Sequence, residues 1–422
     1  MKQAVVFHLP SSNWAVIDEY LSRSGQHALV TAEDALRAPE IARHAGRSAA
    51  LAAILPPKDL QSVDEYVRSV LDRSPFLFVG KEWEALCAKH GLPADALRQS
   101  MRQDLAEEWG AGALLVESLE RALQQYAIRA VVLNEEYSAE ARTLALWAGQ
   151  RKIPVLHLYQ GLALDGHYAG SGDLLADSIT AAGPRAAETF QDMGLPAGRV
   201  IQTGNPAWMK FSELSAMKED CRAGLARLIG WGSGPLVVFG TSEGPVKPAT
   251  SDPEILSQAA RAFFRCAREA ARTHPGSIWA VLLRPSDPPF LERELTAWAA
   301  EEGLPAGRIH FFRNDSELFL AAAEAVVSVD SGLAVEALLA GTQAINVLTD
   351  SGWRAGPAFA ADTGVIEVAP EGLYGEVMKA LERRPPDPRR LEAARSAYHP
   401  RQNGDPVKNV VDWISGMLSP DP

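Results

Sequence analysis

Short apolar runs rich in β-branched residues alternate with longer helical segments along this chain, and the alternation occurs twice. QAVVFHL (3–9), IRAVVLNEE (128–136) and IPVLHLYQG (153–161) are strand-like runs of the first block. PLVVFGTS (235–242), SIWAVLLRPS (277–286), AVVSVDS (325–331) and QAINVL (343–348) are those of the second. Most are apolar at nearly every position instead of every second one, so these strands are buried on both faces. Such strands belong to parallel sheets covered by helices, which makes the chain an α/β protein. HALVTA (27–32), AALAAILP (49–56) and PFLFVG (75–80) are further candidates for buried strands, and Lys81 to Tyr126 reads as a long helical region.

The length of 422 residues suits two or three domains. The first block, 1–207, reads as a Rossmann-like domain. Over 208–234 the pattern changes to a polar helix and the Gly-rich GWGSGP, which reads as a linker. A second Rossmann-like block follows over 235–385, then RRPPDPRR breaks the pattern before a helical segment over 386–422. GLPAGRV (194–200) and GLPAGRI (303–309) fall between a helix and a strand in both blocks, which supports two similar halves.

The net charge of -12 argues against a broad surface for nucleic acid or anionic membrane. Three well-separated cysteines, Cys87, Cys221 and Cys266, have no zinc-ligand spacing and suit a reducing compartment. No apolar run is long enough to span a bilayer, and the start lacks the apolar length of a signal peptide. These features point to a cytoplasmic protein, with peripheral membrane contact left open. No metal-binding motif stands out.

The stretch SVDSGLAVEALLAG (328–341) carries the chemistry. A strand ends in a small polar turn and feeds a helix, which leaves backbone N–H groups free at the helix start. Those groups and the helix dipole favour a phosphate. Ser331 is expected to cap the helix and Gly332 to let a ligand approach the backbone. Glu336, on the second turn, is placed to accept from sugar hydroxyls such as a ribose. A buried helix with a hydrogen-bonded Glu explains the same stretch structurally.

DSGLAVEALLAGTQAI resembles the strand–turn–helix of GT-B glycosyltransferases, above all bacterial capsule and surface-carbohydrate enzymes of the Kdo or sialic-acid transferase kind. Four more segments fit that pattern in order: IPVLHLYQGLAL (153–164), GRVIQTGNPAW (198–208), LVVFGTSEG (236–244) and VLLRPSD (281–287). Together the segments span roughly 128–370. Arg284 stands where many relatives carry the His of a His-Pro pair, and Gly161 follows Gln160 directly where relatives have Gln-His-Gly. The resemblance implies two Rossmann-like domains facing across a cleft, the acceptor on the first and the nucleotide sugar on the second. It also implies that the final helix packs back on the N-terminal domain.

On the donor side the resemblance implies phosphate contacts from Thr241, Ser242 and Gly244, from Arg284, whose guanidinium forks onto phosphate oxygens, and from Ser331 with Gly332. Ser286 is a further donor contact or a helix cap. Glu135 and Glu136 follow a strand, and ligands of open α/β sheets bind at strand carboxyl ends. The next strand end brings Gln160, Gly161, Asp165 and His167, and Asn205 lies in the TGNP segment. Asp165 or Glu135 is the expected general base, or nucleophile if configuration is retained, and His167 a proton carrier. His157, inside an apolar strand, reads as a satisfied core histidine. The expected substrates are a CMP- or UDP-linked sugar and a glycan or lipid-linked acceptor, with no cofactor. A non-hydrolysing sugar-nucleotide 2-epimerase and a non-catalytic GT-B-like binding protein are the alternatives.

Overall fold

The computed structural model describes residues 1–73, 79–89, 91–159, 161, 174–230, 234–241, 253–285, 287–349, 359, 363–382, 387–398 and 404–418. The chain forms two compact units. One comprises Met1–Tyr159, Leu174–Thr180 and Val407–Pro422, and the other Gln160–Asp173 and Ala181–Pro406.

In chain order the first stretch contains β1 (Lys2–His8), α1 (Trp14–Ser24), β2 (His27–Val30), α2 (Pro39–Ala42), β3 (Ser48–Ala50), α3 (Pro57–Asp72), α4 (Lys81–Lys89), α5 (Ala94–Ala122), β4 (Tyr126–Leu133), α6 (Ala139–Gln150), β5 (Val155–His157) and β6 (Ser178–Ala181). There follow α7 (Pro184–Asp192), β7 (Val200–Gln202), α8 (Met209–Leu214), α9 (Lys218–Ile229), β8 (Leu236–Gly240), α10 (Pro253–Thr273), β9 (Ile278–Leu282), α11 (Leu291–Glu301), β10 (Ile309–Phe312), α12 (Ser316–Ala322), β11 (Ala325–Ser328), α13 (Leu333–Leu339), β12 (Gln343–Val347), β13 (Ile366–Val368), α14 (Leu373–Leu381), α15 (Pro388–Tyr398) and α16 (Pro406–Leu418).

The sheets run β3-β2-β1-β4-β5-β6-β7 and β10-β9-β8-β11-β12-β13. Every strand pairing with a resolved register is parallel. The order is the same in both over six strands. The chain starts in the middle, winds outward, then crosses back to wind the other way. The reversal falls between β1 and β4 in one sheet and between β8 and β11 in the other. At such a switch point the helices leave in opposite directions and open a crevice at the strand carboxyl ends.

The apolar runs become strands for the reason their composition suggests. All of β8 is buried, and Phe239 on it packs against Phe263 of α10 with ring centroids 5.3 Å apart. Phe263 in turn meets Trp279 of β9 at 5.1 Å. Two local readings change. AALAAILP gives only the short β3 and a 3-10 turn over Ala52–Ile54, and the helical region from Lys81 divides into α4 and α5. Residues 75–78 of PFLFVG lie outside the described residues. Among the described residues no helix is long and apolar enough to cross a membrane.

Candidate functional site

In the first unit the switch point joins β1 and β4 in register, with His8 beside Leu133. The loop after β4 carries Glu135. Its carboxylate accepts from the Tyr137 N–H at 2.5 Å, the Ser138 N–H at 2.9 Å and the Ser138 hydroxyl at 2.5 Å. Ser138 is the N-cap of α6, where its oxygen accepts from the Ala141 N–H. His8 Nε2 lies 3.6 Å from Glu135, longer than a hydrogen bond but within ion-pair range, while its Nδ1 is 2.9 Å from the Thr31 hydroxyl. Burial alone would raise the Glu135 carboxyl. The neighbouring His8, the Ser138 hydroxyl and the two N–H groups outweigh it and hold the group down at about 2.

Glu136 turns the other way. It is buried and accepts from the N–H groups of Leu175 at 2.8 Å and Ala176 at 3.0 Å. His157 Nδ1 of β5 lies 3.4 Å from it. Burial pushes its carboxyl up, but His157 and the two N–H groups prevail and keep it below the usual range. His157, fully buried, is therefore a partnered core histidine. Gly161 is exposed, while Gln160, Asp165 and His167 lie outside the described residues.

The second unit presents two polar clusters at the carboxyl ends of its strands. In the first, the buried Thr241 hydroxyl donates toward Leu282 O at 3.1 Å and Asp287 at 2.5 Å. The other oxygen of Asp287 receives Arg284 Nε at 3.1 Å and Nη2 at 2.7 Å, and the Arg284 N–H reaches Asp287 at 2.7 Å. Arg313 donates to the carbonyls of Arg284 and Asp287 at 3.0 and 2.9 Å. The Arg284 fork is thus engaged by a carboxylate three residues on, inside a rigid local knot. Ser242, Gly244 and Ser286 lie outside the described residues.

The second cluster surrounds the turn from β11 to α13. Asp330 has φ +46°, a left-handed conformation that a residue with a Cβ adopts only when held. Asn346, fully buried on β12, holds it by accepting the Asp330 N–H at 2.6 Å and donating to its carboxylate at 3.1 Å. The same amide donates to Glu367 at 3.1 Å. Gly332 takes the N-cap position, and the Ser331 hydroxyl accepts from the Leu333 N–H at 3.3 Å. The helix starts hard against the sheet. A Cβ on Gly240 would come within 2.0 Å of the Leu333 side chain, which would have to turn away to admit it.

Two of the segments singled out in the sequence meet at Glu336. Asn205 is buried and its side chain caps the 3-10 turn Pro206–Trp208 through the Ala207 N–H at 3.0 Å. That turn presents Trp208, whose indole N–H favours the charged form of the Glu336 carboxyl. Lys210 of α8 adds a positive charge and is itself ion-paired with Glu317 of α12. Burial pushes the Glu336 carboxyl up to about 7, against the pull of Lys210 and Trp208 and with a further push from Glu317. As a residue Glu336 retains partial exposure, but the group is densely surrounded, and the raised value follows those surroundings. Among the described residues no cluster of three His, Cys, Asp or Glu side chains could hold a metal ion.

His8, Asp287 and Asn346 were not singled out from the sequence. The strand-end rule that picks Glu135 applies equally to His8 at the end of the first strand, and Asp287 lies three residues after Arg284 in VLLRPSD. Asn346 has no such signal, since only the register of β11 with β12 brings it beside the turn.

No family model matches the sequence. No curated protein sequence matches it either. Solved structures do. The chain is similar to the UDP-GlcNAc 2-epimerase of Neisseria meningitidis bound to UDP-GlcNAc, at 13% identity and TM-score 0.56, covering 99% of this chain and 100% of that one. It is similar to a glycosyltransferase of Rickettsia africae at 10% identity and TM-score 0.56, covering 100% of both chains. It is similar also to the Anabaena protein HepE in complex with UDP-glucose, at 14% identity and TM-score 0.55, covering 99% of both. At these identities the likeness shows the fold alone, an α/β fold of two domains of the GT-B-like kind.

Proposed function

We propose that the protein is an enzyme acting on a UDP-activated sugar, with the nucleotide held by the second unit. The observation that carries this is the meeting of GNPAW and DSGLAVE at Glu336, a carboxyl set between an indole, a lysine and the start of α13. Near neutral pH that carboxyl is shared between its neutral and charged forms. It can therefore both donate to and accept from a pair of ribose hydroxyls. The N–H groups of Leu333 to Glu336 at the start of α13 are bonded to Ser331 and Gly332 and are not free for a phosphate, so the nucleotide site rests on Glu336. Thr241 and Arg284 support it at one remove, because their side chains are committed to Leu282 and Asp287.

For the chemistry, we assign the acid or base to His8 of the first unit. Glu135, ionised across the neutral range, is a weak base but a good orienter of an adjacent imidazole. UDP-GlcNAc 2-epimerases recur among the similar structures, which puts 2-epimerisation ahead of glycosyl transfer as the reaction. Transfer to an acceptor is the second reading, supported by the full-length likeness to a glycosyltransferase. CMP-linked donors and a Kdo or sialic-acid substrate gain no support from these neighbours.

The test has two steps. UDP is expected to raise the melting temperature and CMP to leave it unchanged, by binding to the native state. UDP-GlcNAc incubated with the protein alone is then followed by proton NMR. Appearance of the 2-epimer establishes the first reading. An unchanged sugar in a UDP-binding protein moves the assignment to transfer, and no response to UDP removes both.

A further inference from the structure

The first unit contains a cavity of about 830 Å³ between α3, α5 and α6. This is the size of a small-molecule site. Its walls are regular helix faces. Val63, Val67 and Val70 lie one above another on α3, and Trp109, Ala113 and Val116 do the same on α5. Gly112 lets α5 close on α6, since a Cβ there would stand 3.2 Å from the Thr143 hydroxyl. Along α5 the lining runs from Glu108 to Arg121, about 20 Å at the helical rise per residue, which is longer than a sugar ring. Among the described residues Arg121 is the cation of the lining, and it pairs with Glu117 at 3.4 Å. Glu108 also lines the cavity, so an anionic group meets a further carboxylate and a cation already paired.

One end of the cavity is close to Glu135. Ala139, which lines it, directly follows Ser138, whose hydroxyl is 2.5 Å from the Glu135 carboxylate. Covalent geometry keeps the Ala139 Cα within about 9 Å of that carboxylate. A ligand group against Ala139 therefore lies in the neighbourhood of Glu135.

We propose that this cavity binds the hydrocarbon chain of an uncharged amphiphile, with the polar head at the Ala139 end. The chain site goes beyond the UDP-sugar reading and stands without it. Only the direction of the head rests on that reading, and an acceptor of this class would make glycosyl transfer the reaction.

The experiment is calorimetric titration of the full chain with n-decyl β-D-maltoside below its micelle-forming concentration, with maltose as the control. Saturable binding of the alkyl glycoside with maltose silent is expected. Ala113→Phe fills the cavity and Val70→Glu puts a charge on its wall. Each is expected to weaken binding at least tenfold at an unchanged melting temperature, and if one fails to fold the other carries the test. Absence of saturable binding overturns the proposal, as does equal affinity in a folded variant. The UDP-induced rise in melting temperature is recorded on the same samples. Its loss with alkyl binding intact overturns the UDP-sugar reading alone, and the reverse result overturns the cavity site alone.

Discussion

Glu135 and Glu336 follow equivalent strands, β4 in one sheet and β11 in the other, each just across the switch point of the same strand order. Their surroundings differ. Glu135 sits in a turn whose N–H groups point at it, next to an imidazole, and stays charged. Glu336 sits one turn into a helix against an indole, the nearby charge of Lys210 is shared with Glu317, and burial prevails. The fold thus positions a carboxylate, and the count of donors around it decides whether it is an anion or an acid at neutral pH. The ionised one belongs with orienting a proton carrier, the one shared between its two forms with exchanging hydrogen bonds with hydroxyls.

The contrast can be broken at several points. The largest effect is expected at His8. His8→Asn should lower turnover of the UDP-sugar by about 10²–10⁴-fold with UDP binding unchanged, the range for loss of a general acid or base. Steady-state rates and a UDP titration on one preparation decide it, and a variant of normal rate removes His8 from the chemistry. Next comes Glu136, the buried neighbour that faces inward. Glu136→Ala leaves His157 without its carboxylate and exposes two N–H groups, and should cost about 3–5 kcal/mol in urea unfolding.

The pH dependences should run in opposite directions. Glu336 has a folded value raised from 4.5 to about 7, so the folded state binds the extra proton. Its stabilising contribution is complete below pH 4.5 and is lost as pH rises through 7, at most about 3 kcal/mol and less for the solvent it still sees. Glu135 has a folded value lowered from 4.5 to about 2, so its contribution is complete above pH 4.5 and is lost as pH falls towards 2. Urea midpoints across pH should therefore lose their neutral-side slope in Glu336→Gln and part of their acid-side slope in Glu135→Gln. Slopes unchanged in both variants would mean that the two carboxyls titrate alike. The smallest effect is at Lys210. Since its charge pulls the Glu336 value down, Lys210→Met should move that titration to higher pH, as read by carboxyl carbon NMR.

Much of the fold could be read from the chain because buried parallel strands are apolar at almost every position, and both blocks show it. Strand order could not, since nothing in QAVVFHL says that it lies between HALV and YAIRAVVL. The candidate site divides the same way. Glu135 is visible as a polar residue closing an apolar run. The His8 pairing needs β1 next to β4, and the approach of Trp208 to Glu336 joins positions 128 residues apart, as the residue numbers show. Asn346 looks like an ordinary residue in QAINVL until the β11–β12 register puts its amide between Asp330 and Glu367. These contacts are long-range, and no local pattern encodes them.

The helix α16 belongs to the first unit, where Val410, Val411 and Ile414 are buried and Asp412 meets Arg23 at 2.5 Å, although the chain reaches it only after the second unit is complete. This imposes an order on biosynthesis. The residues of the second unit have all been translated before the ribosome supplies the helix that completes the first. Until then the first unit exposes the apolar patch that Val410, Val411 and Ile414 will cover, a surface for chaperones and a hazard for aggregation. The helix made after the second unit therefore decides when the first unit is safely folded.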